Sequence, residues 1–220
     1  MSVTIRTSDD PVAEAASALT SAIRDALADR QYVTVAVPGG SALAAWSRTA
    51  EELGEDLGRV RLTWVDERCV PVADPQSNRG QTHRSTDARA GDELPLWLDD
   101  ETEGAAIARV RAGLKAWGCA LDVSLLGMGP DGHIASLFPN RSWAGDTVMH
   151  IADSPKPPPH RMTLTLSMLA TAQTSILVAT GESKRDAMVA LATGDPTLPA
   201  GGLPGLTVFT DLDFASGSTT

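Results

Sequence analysis

The chain of 220 residues is poor in cysteine, in basic charge and in long apolar runs, and each shortage removes a class of explanation. Cys69 and Cys119 are the only cysteines, too few for a disulfide framework or a cysteine zinc site. Lys and Arg number 18 against 28 Asp and Glu, a net charge of −10, which sets the chain against nucleic acid as its main partner because phosphate backbones demand clustered cations. A small anion is still accessible to it, since a few cations lining a cleft set the local field there. No apolar run approaches the length of a membrane span, so no membrane partner is expected. The opening MSVTIRTSDD has neither an apolar segment nor a small-residue cleavage pattern, and the cytoplasm is the expected compartment.

Several site signatures are missing as well. There is no GxGxxG and no Walker lysine, so a dinucleotide cofactor is not expected. None of the serines lies in a G-x-S-x-G elbow, which speaks against a serine nucleophile. His83, His150 and His160 show no metal-ligand spacing with one another, and no metal is assigned.

What is present is the composition of an ordinary globular protein, 42% hydrophobic and 21% charged, of a length that fits one domain over residues 1–220. Asp10 followed by Pro11 signals a helix start, with Val12, Ala16, Leu19, Ile23 and Leu27 at helical spacing behind it. Strands are expected at 31–37, 62–65, 161–166, 175–180 and 206–210, and in the apolar run that opens 121–139. Helices at 42–53, 105–117 and 182–192 alternate with them, and 74–78 reads as a turn opening another. Residues 91–103 read as acidic, irregular and exposed, 155–159 as a proline-dense connection, and 216–220 as a polar tail. Strands alternating with helices imply an α/β protein with parallel βαβ units.

The stretch 121–139, LDVSLLGMGPDGHIASLFP, is the one around which the others arrange themselves. A strand breaks into a loop rich in glycine and proline and delivers Asp131, Gly132 and His133 to its own carboxyl end, where open α/β sheets bind ligands. The residues beyond can start a helix, whose N-terminus would keep the imidazole neutral, as a general base requires. Asp131 would cap that helix, contact substrate or steady the ring. Gly39, Gly40 and Ser41 stand where a strand passes into a helix, as a tight turn or as a phosphate cradle. Asp66, Glu67 and Arg68 follow another strand, either as a solvated charge run or as site residues, with Arg68 suited to clamping an anion and Asp66 to orienting a base or a hydroxyl. Arg161 and Lys184 are surface cations by default, yet both fall where an anion at Ser41 would be in reach. Met128, Met162, Met168 and Met188 read as core.

Taken together, these residues resemble the 6-phosphogluconolactonases, within the wider glucosamine-6-phosphate isomerase and 6-phosphogluconolactonase superfamily. The resemblance runs from the first helix to Asp211. It is carried by PGGS at 38–41, DERCVP at 66–71 with Ser77 and Asn78 following, LLGMGPDGHIASLFP at 125–139, SPKPPPHRMTLT at 154–165, GESKRDAM at 181–188 and LPA at 198–200. It implies a Rossmann-like, mostly parallel sheet with helices on both faces, and hydrolysis of 6-phosphoglucono-δ-lactone to 6-phosphogluconate in the oxidative pentose phosphate pathway. The implied partner is a small phosphorylated sugar lactone, with no metal or organic cofactor and with monomer and homodimer both open. By the same resemblance the phosphate would sit on Gly39, Gly40 and Ser41 with Arg161 and Lys184 as its cations. His133 would activate water, Asp66 and Asp131 would line the sugar site, and Arg68 would face the lactone or the phosphate.

The chain departs from the lactonase pattern at Ala42 and Leu43, where Thr-Pro is usual, and at Ile134, where Thr is common and the superfamily's deaminases have Ile. Those deaminases carry an acidic residue soon after the histidine, whereas this chain has Ser136, Leu137 and Phe138, and Arg68 stands where they favour an aromatic. The resemblance therefore favours a lactonase over glucosamine-6-phosphate deaminase. A non-catalytic sugar-phosphate sensor is the third reading, and no basic helix-turn-helix precedes Val33 to support it.

Overall fold

The computed structural model describes residues 3–213, so the tail expected at 216–220 lies outside the described residues. The first half of the chain forms β1 (Thr4–Thr7), α1 (Pro11–Asp29), β2 (Val33–Val37), α2 (Leu43–Leu53), β3 (Val60–Trp64), β4 (Asp66–Arg68), α3 (Asn78–Ser85) and β5 (Asp92–Leu94). The second half forms α4 (Glu103–Ala116), β6 (Val123–Gly127), β7 (Val148–Ile151), β8 (Arg161–Leu164), α5 (Leu166–Leu169), β9 (Thr174–Val178), α6 (Arg185–Ala192) and β10 (Thr207–Thr210). Among the described residues no helix is long and apolar enough to cross a membrane.

Seven strands make one wholly parallel sheet in the order β1-β10-β9-β6-β2-β3-β5, and β4, β8 and β7 make a small antiparallel sheet beside it. From β2 the chain builds outward through β3 to β5; from β6 it builds the other way through β9 to β10. The order reverses between β2 and β6, and beyond the carboxyl ends of strands at such a reversal an open α/β sheet leaves a crevice.

Local sequence explains the central elements. β2 reads VTVAV, β-branched at four of five positions and buried at every one, as a strand covered on both faces requires. Asp10 caps α1 by accepting the Ala13 N–H at 3.0 Å, with Pro11 at the first helical position. Ala16, Leu19, Ile23 and Leu27 then fall on one buried stripe that packs on α2 and across β10, β9, β6 and β2. Leu19 is fully buried, so Leu19→Ala would cost about 2–5 kcal/mol. The four methionines at 128, 162, 168 and 188 are all buried, as expected.

The α/β reading holds, with corrections. Thr4–Thr7, which carried no strand signal, is an edge strand paired with β10, held by backbone hydrogen bonds while three of its four side chains face solvent. Residues 91–103 are not all exposed and irregular: Asp92–Leu94 pairs with β3, and Leu94 and Leu96 are buried. Asp66–Arg68 is neither loop nor solvated run but a strand paired with β8. No helix follows His133; the chain continues through bridges between Met128 and Ile134 and between Ile134 and Leu137.

Candidate active site

A cavity of about 360 Å³ opens over the reversal between β2 and β6, at the small end of clefts that take one compact ligand. The turn after β2 supplies Gly39, Gly40 and Ser41, β4 supplies Asp66 and Arg68, and the loop after β6 supplies His133. Arg161 enters at the start of β8 and Lys184 from the short 3-10 turn that follows β9. The fold thus gathers residues from distant parts of the sequence, and each lies where its strand position placed it. Asp131 alone among the expected residues stands behind the lining, bonded to two residues on it.

The His133 Nδ1 lies 2.5 Å from Asp131 Oδ1. Burial pushes the Asp131 carboxyl up, but the His133 hydrogen bond and the charges of His133 and Lys156 outweigh it and hold the group at about 2. An ionised carboxylate only accepts, so Nδ1 carries the proton and Nε2 presents its lone pair. Burial is also the main force on the imidazole, driving its pKa below the usual histidine value; Asp131 opposes it and Lys156 assists. The expected helix dipole is therefore replaced by desolvation as the reason the ring stays neutral. Phe138 supplies part of that cover, with ring centroids 4.8 Å apart. Gly129 leaves room for the ring: a Cβ there would meet His133 Nδ1 and Cε1 at 2.1 Å.

A second group on the lining centres on Asp66, 5% exposed. Its Oδ1 accepts from Asn78 Nδ2 at 2.9 Å and its Oδ2 from Ser136 Oγ at 2.6 Å, with Arg161 Nη1 at 3.8 Å. Glu67 points away from the cavity's chemistry and accepts the backbone N–H groups of Arg68, Asn78 and Arg79, which ties β4 to the start of α3. Burial raises its pKa, those three N–H groups lower it, and the neighbouring Asp66 charge adds to the rise. Asn78 also packs on the glycine turn, where a Cβ on Gly39 would meet its Oδ1 at 1.9 Å.

At the other end of the cavity Ser41 is exposed, while the Gly40 N–H donates to Gln81 Oε1 at 3.0 Å. Lys184 is half-buried, and burial, with Lys156 nearby, lowers its pKa against the pull of Asp131. Arg161 is 4% exposed and mostly committed: Nε donates to Pro158 O, Nη2 to Lys156 O and Pro157 O, and Nη1 to Ser136 Oγ. Burial lowers its pKa against Asp66, with Arg68 adding to the fall. Arg68 lies on the same wall and donates from Nη1 to Gln76 O at 2.6 Å.

Residue-level reasoning missed Lys156, Ser136, Asn78 and Gln81. Lys156 and Asn78 lay inside or beside the family blocks without a role, and Ser136 was weighed only as a position lacking a carboxylate. Gln81 had no signal, since it works through a backbone contact. The remaining histidines lie outside the cavity: His83 is 3.0 Å from Glu93, and His150 lies between Glu103 at 3.1 Å and His160 at 3.4 Å. Among the described residues no group of three or more His, Cys, Asp or Glu is arranged to hold a metal ion.

The family model for glucosamine-6-phosphate isomerases and 6-phosphogluconolactonase matches residues 6–208. The chain belongs to this family. A 6-phosphogluconolactonase of Mycobacterium leprae is 36% identical over 216 residues, covering 89% of this chain and 87% of that one. The crystal structure of a 6-phosphogluconolactonase from Thermotoga maritima superposes with a TM-score of 0.83 at 24% identity, covering 95% of this chain and 99% of that one. A monomeric glucosamine-6-phosphate deaminase gives a TM-score of 0.79 at 17% identity over 96% of this chain and 97% of that one, so the fold is common to both branches. The departures from the lactonase pattern differ in reach. Ile134 is fully buried in the core and off the cavity lining, Leu43 is also buried, and only Ala42 faces the cavity.

Proposed function

We propose that the chain hydrolyses 6-phosphoglucono-δ-lactone to 6-phosphogluconate in the oxidative pentose phosphate pathway, with His133 as the general base. The observation that carries the mechanism is His133 on the cavity lining with Asp131 bonded to its Nδ1 from behind, which leaves Nε2 for a water molecule. Water attacks C1 of the lactone and gives its proton to Nε2, while the carbonyl π electrons move onto oxygen. The tetrahedral intermediate then collapses: the bond from C1 to the ring oxygen breaks, and that oxygen takes the proton back from Nε2. Positioned base catalysis of this kind contributes roughly 10²–10⁴-fold.

Ser41 and Lys184 hold the phosphate, Asp66 accepts from a sugar hydroxyl, and Arg68 lies where the lactone ring ends. Arg161 contributes charge to this end while most of its donors hold protein backbone. Binding the phosphate fixes the carbonyl over the base, so a distant contact lowers the barrier. The names of the relatives at 36% identity support a lactonase, and so does the stretch after the histidine. There Phe138 packs on the His133 ring where a deaminase would need a carboxylate.

The test mixes the protein with freshly generated lactone and follows proton release against the spontaneous rate, with glucosamine 6-phosphate and ammonia detection in parallel. Accelerated proton release without ammonia is expected. Ammonia release without lactone hydrolysis would overturn the proposal.

A further inference from the structure

Lys156 sits in the cavity with Nζ 3.1 Å from Asp131 Oδ1, the same oxygen that holds His133 Nδ1. One carboxylate oxygen thus has two partners. When His133 takes a proton from water it becomes imidazolium, and two cations then compete for a single anion. In the same step a second anion appears, on the former carbonyl oxygen of the lactone. The arrangement resolves itself if the ammonium leaves Asp131 for that oxygen, so that two opposite-charge pairs replace one overloaded one.

We propose that Lys156 is the oxyanion donor of the reaction, held on Asp131 in the resting site and handed to the lactone oxygen as His133 is protonated. This rests on the lactonase reading above. Two further observations favour it. Arg161, buried beneath, donates to the carbonyl oxygens of Lys156, Pro157 and Pro158, each at 3.1 Å, so the root of the lysine is fixed while its half-exposed head is free to turn. The prolines that follow add stiffness to the same segment. Arg68, another cation of the cavity, is tied to Gln76 through Nη1, keeps a buried Nε without a partner, and among the described residues makes no hydrogen bond to the His133–Asp131 pair that would couple it to the proton transfer. A donor that meets charge developing only in the transition state leaves substrate binding largely alone, so its loss falls on kcat.

The role separates from a phosphate contact. Lys156→Met should lower kcat by about 10²–10³-fold, the usual cost of one oxyanion donor, with KM and the inhibition constant of inorganic phosphate nearly unchanged. The acid limb of kcat/KM should move to higher pH in this variant, because the lysine charge that disfavours imidazolium is gone. Lys156→Arg keeps a cation and should restore part of kcat. Circular dichroism would show the fold retained, as expected for a head group at the surface of a cleft. A raised KM or a weakened phosphate inhibition with kcat preserved would make Lys156 a phosphate ligand and overturn the proposal; so would an unmoved acid limb. A wild-type protein that leaves the lactone at its spontaneous rate would instead overturn the functional reading, and this role with it.

Discussion

Asp66 and Asp131 serve the same cavity from two sides of the chain, one with 8% of its side chain exposed and the other with 40%. Asp66 is enclosed by Asn78, Ser136 and Arg161, each of them also buried and each bonded onward into the fold. Among the described residues Asp131 instead bonds only the two groups expected to change charge or place during turnover, His133 and Lys156. The buried wall fixes where a sugar lies; the open wall keeps the freedom to move a proton. A carboxylate satisfied from all sides is costly to disturb and poor at exchanging partners, whereas one at the rim is the reverse.

The largest effect should come from the open wall. His133→Ala is expected to lower kcat by about 10²–10⁴-fold while KM changes little, and steady-state kinetics on fresh lactone would read both. Near-normal turnover would remove His133 as the base.

Stability should separate the walls in the opposite sense. Asp66→Ala strands buried donors and leaves Arg161 without its counter-charge, which should cost about 3–5 kcal/mol in chemical denaturation. Asp131→Ala should cost no more than about 1 kcal/mol, since its side chain is 40% exposed and its one ion pair, with Lys156, is open to solvent. Equal losses at both positions would erase the distinction. A smaller effect is expected at the phosphate end. Lys184→Ala should raise KM about ten- to a hundredfold with kcat nearly kept, because a charged hydrogen bond of about 1.5–3 kcal/mol is present in ground and transition states alike.

The two walls were also unequally legible. The open wall could be read from one contiguous stretch, since a strand, a glycine-rich loop and a histidine follow one another in sequence. The glycine turn after β2 and the placement of Lys184 after β9 were legible for the same reason. The buried wall depends on pairing between β4 and β8, which brings Asp66 opposite Thr163 and Arg68 opposite Arg161. No local pattern announces that, and three adjacent charges look like solvated loop. The reason His133 stays neutral is hidden from local sequence in a similar way. A loop followed by IASLF has the composition of a helix start, but Ile134 and Leu137 are drawn into the core and the chain bridges back on itself. Burial did the work assigned to a helix dipole.

A neutral, largely covered His133 steadied by Asp131 should show itself in the pH dependence of kcat/KM of the wild type and of Asp131→Asn. Burial depresses the histidine, so activity should persist below the ordinary imidazole value of about 6.5 and fall only as the pH drops through the lowered pKa. Asp131 favours the protonated ring, so its neutral replacement should move the acid limb lower still while kcat falls. A wild-type limb at or above the ordinary imidazole value, or one that rises or stays fixed in Asp131→Asn, would contradict the account.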